Sequence, residues 1–184
     1  MDQTELIRLA REAGFSAAVL PASQVPVDGK FRAFCEENRC GQYHANYSCP
    51  PLCGSVEQMH SRILGSELAL VLETQWPIDG YQDTQAIRHG KQAHNREMLR
   101  LNEALCADGW VGICAGGSCC DLCEPCALTR GDACVHPKVQ FSCLSAYCVD
   151  VAELAKRCGL EFAWDQKRLF VYSMILLRRP GSKG

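Results

Sequence analysis

The chain has 184 residues, 14 of them cysteine, with 19 basic against 21 acidic side chains and a net charge of −2. The length suits one domain with a sizeable core, and 47% apolar residues with so little net charge exclude intrinsic disorder. No apolar run approaches the ~18 residues a membrane span needs, and the balanced charge argues against a nucleic-acid-binding surface.

Apolar spacing predicts the elements in chain order. Leu6, Leu9, Ala10 and Ala13 share one face of a short helix over 3–13, which Gly14 ends. Residues 16–20 (SAAVL) read as a buried strand closed by Pro21, and 21–54 as irregular chain with four cysteines. Ser55 suits the N-cap of a helix carrying Val56, Met59, Ile63 and Leu64, ending at Gly65. A second strand follows over 67–74. The longest helix spans 82–106, with Ile87, His94, Met98, Leu101 and Leu105 on one face and Gly109 as its stop. Residues 110–114 make a third strand that runs into a second cysteine-rich loop. A helix over 146–158, with Val151, Leu154, Ala155 and Cys158 inward, and a strand over 168–177 complete the pattern. The alternation predicts a single α/β domain over 1–180, a short, mainly buried sheet flanked by helices, with a disordered tail at 181–184. Each cysteine-rich loop follows a strand, where open α/β sheets keep their sites.

The first residues, MDQTELIRLAREAGF, lack the charged, apolar and small-residue regions of a secretory signal. A cytoplasmic location is therefore expected, and there clustered cysteines read as metal ligands or catalytic groups before disulfides.

The sharpest motif is Cys120-x2-Cys123-x2-Cys126, with Cys134 seven residues further on. Three cysteines at two-residue gaps let one tight loop aim three thiolates at one centre, as in the iron–sulfur run of bacterial ferredoxins. Gly116 and Gly117 would let backbone N–H groups approach cluster sulfurs, and Pro125 stiffens the loop. Structural zinc more often uses two ligand pairs with a long spacer. Cys119 stands beside the run as an alternative ligand. Cys106 and Cys158 fall singly on apolar helix faces and read as packed, inert thiols.

The second candidate is Cys35, Cys40, Cys49 and Cys53, spaced x4, x8 and x3 around a Pro-Pro stop. His44 is a weaker ligand candidate, because a lone His in a polar loop is more often solvated. Tyr43 and Tyr47 read as packing or hydrogen-bonding neighbours, and Arg32 and Arg39 as cations that offset thiolate charge.

The segment C-x4-C-x2-Y-x5-CPP, the C-x2-C-x2-C-x7-C-x2-P run and Leu144–Val151 (LSAYCVDV) together resemble a family of small cysteine-rich proteins of unknown function, described as predicted metal-binding proteins. The resemblance covers about 31–177. It implies metal binding of iron–sulfur type through Cys35, Cys40, Cys49, Cys120, Cys123, Cys126 and Cys134, and no particular reaction. The chain departs from the family pattern at Cys143 and Cys148, where Ser and Gly are expected, and Cys53 is an extra. The fourth ligand of the first site is thus open between Cys53, Cys143, Cys148 and none.

The leading expectation is a protein with one or two 4Fe–4S clusters that transfers electrons to a redox partner protein. Three cysteines on an open iron would instead permit a redox or desulfurising enzyme. A zinc-stabilised interaction module and a metal or sulfur carrier are the alternatives. No catalytic triad, phosphate-binding glycine loop, dinucleotide fingerprint or H-E-x-x-H helix is present.

Overall fold

The computed structural model describes residues 1–181. Its elements are α1 (Gln3–Glu12), β1 (Ser16–Pro21), α2 (Arg32–Glu36), α3 (Val56–Leu64), β2 (Leu68–Pro77), α4 (Thr84–Ala107), β3 (Val111–Gly116), β4 (Ser142–Cys143), α5 (Val151–Cys158) and β5 (Arg168–Arg178). The helices start where the sequence supplies caps. Asp2, Asp83 and Asp150 each accept a backbone N–H of the first turn, and Ser55 and Gln58 form a reciprocal capping box on α3.

The strands form one mixed sheet in the order β1-β2-β5-β3-β4. All pairs are antiparallel except β3 with β4, which run parallel through Ala115–Ser142 and Gly116–Cys143. Side chains alternate across a strand, so a strand apolar at every position needs a layer on each face. On one face, Leu70, Leu72, Ile175 and Leu177 pack against Leu6 and Ala10 of α1 and Met98, Leu101 and Leu105 of α4. On the other, Ala69, Val71, Met174 and Leu176 pack against Met59 and Ile63 of α3 and Leu154 and Ala155 of α5. The chain is therefore a single α/β domain with helices on both faces of the sheet.

The expected helices and strands are present, with shifted ends. Residues 146–150 are a turn, not helix: Asp150 is the N-cap, and Cys148 takes a left-handed φ of 58° that a helix interior excludes. The five-residue α2 and two-residue β4 carry too little periodicity to be read from sequence. Cys106 is exposed, contrary to its reading as a packed thiol, because the buried stripe of α4 runs through Met98, Leu101 and Leu105 and leaves the next position outside. Cys158 does pack against the core of its face. The expected tail lies outside the described residues except for Gly181. Among the described residues no helix is long and apolar enough to cross a membrane.

His94 is buried between α4 and the sheet. Its two ring nitrogens meet the hydroxyls of Thr74 and Ser173, each at 2.7 Å, and Phe15 packs edge-on against the ring. Burial pushes its pKa down to about 3. The folded state therefore resists a proton that the unfolded chain accepts near pH 6.5, so stability falls as pH drops from about 6.5 towards 3. Urea unfolding is expected to show a loss of up to roughly 1.4 kcal/mol per pH unit in that window from this one group, and a shallower slope in His94→Gln. An equal slope in both proteins would exclude His94 as its source.

Candidate metal centre

The strand directions create a problem that the loops solve. Pro21, Leu68, Leu177 and Gly112 lie in one row across the sheet, so β1 ends level with the start of β3. The two cysteine segments thus leave the sheet from opposite ends of its strands. To meet, the first must travel. It is guided by a bridge between Val27 and Val149, with Asp28 N–H donating to Cys148 O and Asp150 N–H to Pro26 O. Asn46, Ser48 and Cys49 end up buried against the second loop.

The join is made at Cys120. Asn46 Nδ2 donates to Cys120 O at 2.9 Å, and Cys120 N–H donates to Ser48 Oγ at 3.0 Å. Asn46 Oδ1 in turn accepts from both the N–H and the hydroxyl of Ser48, each at 2.9 Å. Further along, Tyr47 OH donates to Asp132 O at 2.9 Å, two residues before Cys134. From the other side, Asn95 of α4 accepts from Gly117 N–H at 3.1 Å and donates to Ser118 Oγ at 2.9 Å. Both asparagines are almost fully buried with their amides engaged.

The glycines at the end of β3 serve packing more than cluster approach. A Cβ on Gly116 would sit 2.6 Å from the Phe141 ring and 2.9 Å from Asn95 Oδ1, and the Gly117 N–H goes to Asn95, not to a sulfur. Backbone groups do reach sulfur elsewhere. The N–H groups of Leu122 and Phe141 face the Cys120 sulfur, and those of Ser145 and Ala146 face Cys143.

The cysteines then fall into three neighbourhoods. Cys120, Cys123 and Cys126 line a cleft of about 670 Å³ together with Cys40 and Cys119. Its opposite wall is α4, with Arg88, Lys91 and Gln92, and Arg88 pairs with Glu124 across the loop. Cys134 lies beyond the turn Ala127–Arg130, half-buried. In the second neighbourhood the Cys35 thiol acts electrostatically on Cys143, and Cys49 on Cys119. The neighbouring Cys143 raises the pKa of Cys35 and the neighbouring Cys119 raises that of Cys49, while Cys143 and Cys119 are lowered by the same neighbours. In the third, Cys53 and Cys148 surround buried Arg32, which donates to Cys53 Sγ at 3.5 Å and Gly54 O at 3.0 Å. Burial pushes both thiols up, with the guanidinium opposing it.

His44 is exposed and stacks edge-on with Tyr43, and Arg39 pairs with Glu37 at the surface, so neither faces the thiols. Cys114 is a core thiol, pushed up to about 12 by burial.

Among the described residues no three His, Cys, Asp or Glu side chains already stand in an arrangement that holds a metal ion. The donor chemistry nevertheless suits a soft metal: the neighbouring donors are sulfurs, two of them faced by backbone N–H groups. A model of the family described as "Predicted metal-binding protein (DUF2284)" matches residues 18–177. The chain belongs to this family. The family's match takes in both cysteine segments and all five strands except the first two residues of β1 and the last of β5. No curated protein and no solved structure matches the chain.

Replacing Asn46 by Ala removes the donor to Cys120 O and frees Ser48. A stability loss of about 1–3 kcal/mol in urea unfolding is expected, because buried partners are left unsatisfied. Metal content should fall with it, as both loops lose their common brace. Unchanged stability and metal content would show that the join is dispensable.

Proposed function

We propose that this member of a metal-binding family carries iron–sulfur clusters and relays electrons. One cluster would be held by the Cys120, Cys123, Cys126 and Cys134 run. A second metal–thiolate centre would be built on Cys35 and Cys49. The observation that carries this reading is the join at Cys120, which sets two cysteine segments more than seventy residues apart side by side. Two thiol-rich sites that share a brace suit transfer between centres better than two unrelated structural zincs would.

A cluster ligated by four cysteines supplies one-electron chemistry at a potential set by net charge, hydrogen bonds to sulfur and exposure. The residues of the chain set those conditions. Burial pushes the Cys120 thiol up to about 11, and the backbone N–H groups of Leu122 and Phe141 oppose it. Asn95 fixes the Gly117–Ser118 backbone that delivers the loop. The cleft beside Cys123 and Cys126 leaves that edge open to a partner. The chain itself carries −2, and two four-iron clusters with their thiolates, at about −2 each, would bring it to about −6, which favours a basic redox partner.

Purification without oxygen tests this. A brown protein absorbing broadly near ~400 nm, with iron and sulfide in equal amounts, is expected. Cys123→Ala and Cys126→Ala should each lose about one cluster's worth of iron, since no neighbouring residue can take either place on the loop. A colourless protein with stoichiometric zinc, or variants with full iron and sulfide, would overturn the reading.

A further inference from the structure

We propose that, independently of the metal centres, the open cavity at the C-terminal end of α5 binds the primary ammonium group of a small molecule, with Glu73, Glu161 and Tyr172 as its acceptors.

The cavity has a volume of about 560 Å³, inside the range of about 300–1,000 Å³ typical of small-molecule sites. Its lining includes Arg11 and Ser16, Glu73 and Gln75 of β2, and Cys158 and Glu161 around the end of α5. The sheet register sets the polar groups in place. Ser16, Glu73 and Tyr172 lie opposite one another on β1, β2 and β5, so their side chains stand in one row on one face. The row lies two residues along from Val71 and Met174, which belong to the core of that face.

Two members of this row are out of keeping with an apolar core. Glu73 is only 2% exposed, yet among the described residues no Lys, Arg or His lies within ion-pair distance of it. Its side chain accepts one hydrogen bond, from Gln75 Nε2 at 2.9 Å. The same nitrogen donates to Glu161 Oε2 at 3.2 Å, so a single amide serves two carboxylates at the cavity wall. Tyr172, the cross-strand neighbour of Glu73, is 5% exposed, and its hydroxyl has no hydrogen-bond partner among the described residues. Buried charges are ordinarily paired and buried hydroxyls bonded.

An ammonium group supplies what this wall lacks, one positive charge and three N–H donors. A metal ion suits it less, because among the described residues no three carboxylate, thiol or imidazole groups stand where they could hold one. The basic side chains near by do not fill the role. Arg168 holds Glu161 Oε1 and Gln75 Oε1 at the surface, and Arg11 is exposed and pairs with neither carboxylate. The cavity also sits at the negative end of the α5 dipole, which favours a cation. Burial, and after it the charges of Glu73 and Glu161, push the Tyr172 phenol up, so its hydroxyl stays neutral and able to accept.

The test titrates the protein with n-propylammonium chloride, followed by saturation-transfer NMR and by melting temperature, with n-propanol and sodium chloride at matched concentrations as references. Wild type is expected to bind propylammonium saturably and neither reference. Glu73→Gln should bind it about tenfold more weakly or worse, through loss of a charge-assisted hydrogen bond. Tyr172→Phe has a signature that a packing role would not give. Its melting temperature without amine should rise, because a buried unpartnered hydroxyl is removed, while its affinity for propylammonium falls. Glu161→Gln, at the surface, should also bind more weakly, so the assignment does not depend on how Glu73→Gln folds. No saturable binding in wild type, or equal binding in Glu73→Gln, would overturn the proposal. So would n-propanol binding as well as propylammonium, or a Tyr172→Phe protein that is less stable and binds unchanged.

Discussion

The main chain of Cys120 holds the molecule's two cysteine segments together. Its N–H and its C=O are both taken by one short turn, Asn46 to Ser48, that belongs to the other segment. Two backbone bonds at one residue fix that residue's position more firmly than a side-chain contact would, because the peptide unit has little freedom left. The turn is itself locked, since Asn46 Oδ1 accepts twice from Ser48. These groups are buried, so each bond lost would leave a polar atom without water to replace its partner.

The sheet explains why such a join is needed. With the chain leaving β1 and β3 at opposite strand ends, nothing in the strand layout brings the two loops together. The first segment crosses to the second along the Val27–Val149 bridge, and α4 braces the second loop separately through Asn95, bonded to Gly117 and Ser118. The apolar layers supply a rigid frame of known kind. The polar braces between loops spend that rigidity on placing sulfur. Thiols are suited to this position because an uncharged thiol tolerates burial, yet each becomes a strong ligand once its proton leaves.

Much of the frame was legible in the sequence. The apolar periodicity of α1, α4, β2 and β5, and the cap at Ser55, are local properties, and local properties survive folding. The C-x2-C-x2-C run was legible for the same reason: its three thiols face one cleft because their spacing is short. What was hidden depends on long-range pairing. Cys143 becomes a neighbour of Cys35 only because β4 docks on β3, and no spacing rule connects positions so far apart. Asn46, Ser48 and Asn95 look like ordinary loop and helix-surface residues, and their burial is decided by packing that the sequence pattern does not carry. Cys106 shows the converse: next to a buried leucine in the sequence, it faces outward one helical step away.

The claim that most needs testing is that the two cysteine segments build two redox centres in one braced unit. Electron paramagnetic resonance on the fully reduced, anaerobically prepared protein tests it directly. Two paramagnetic centres held side by side should give signals broadened or split by their mutual interaction, and the Cys123→Ala protein should show the remaining centre as a simple, unsplit signal. Two sharp, additive signals in the intact protein, or no paramagnetic signal on reduction, would contradict the account.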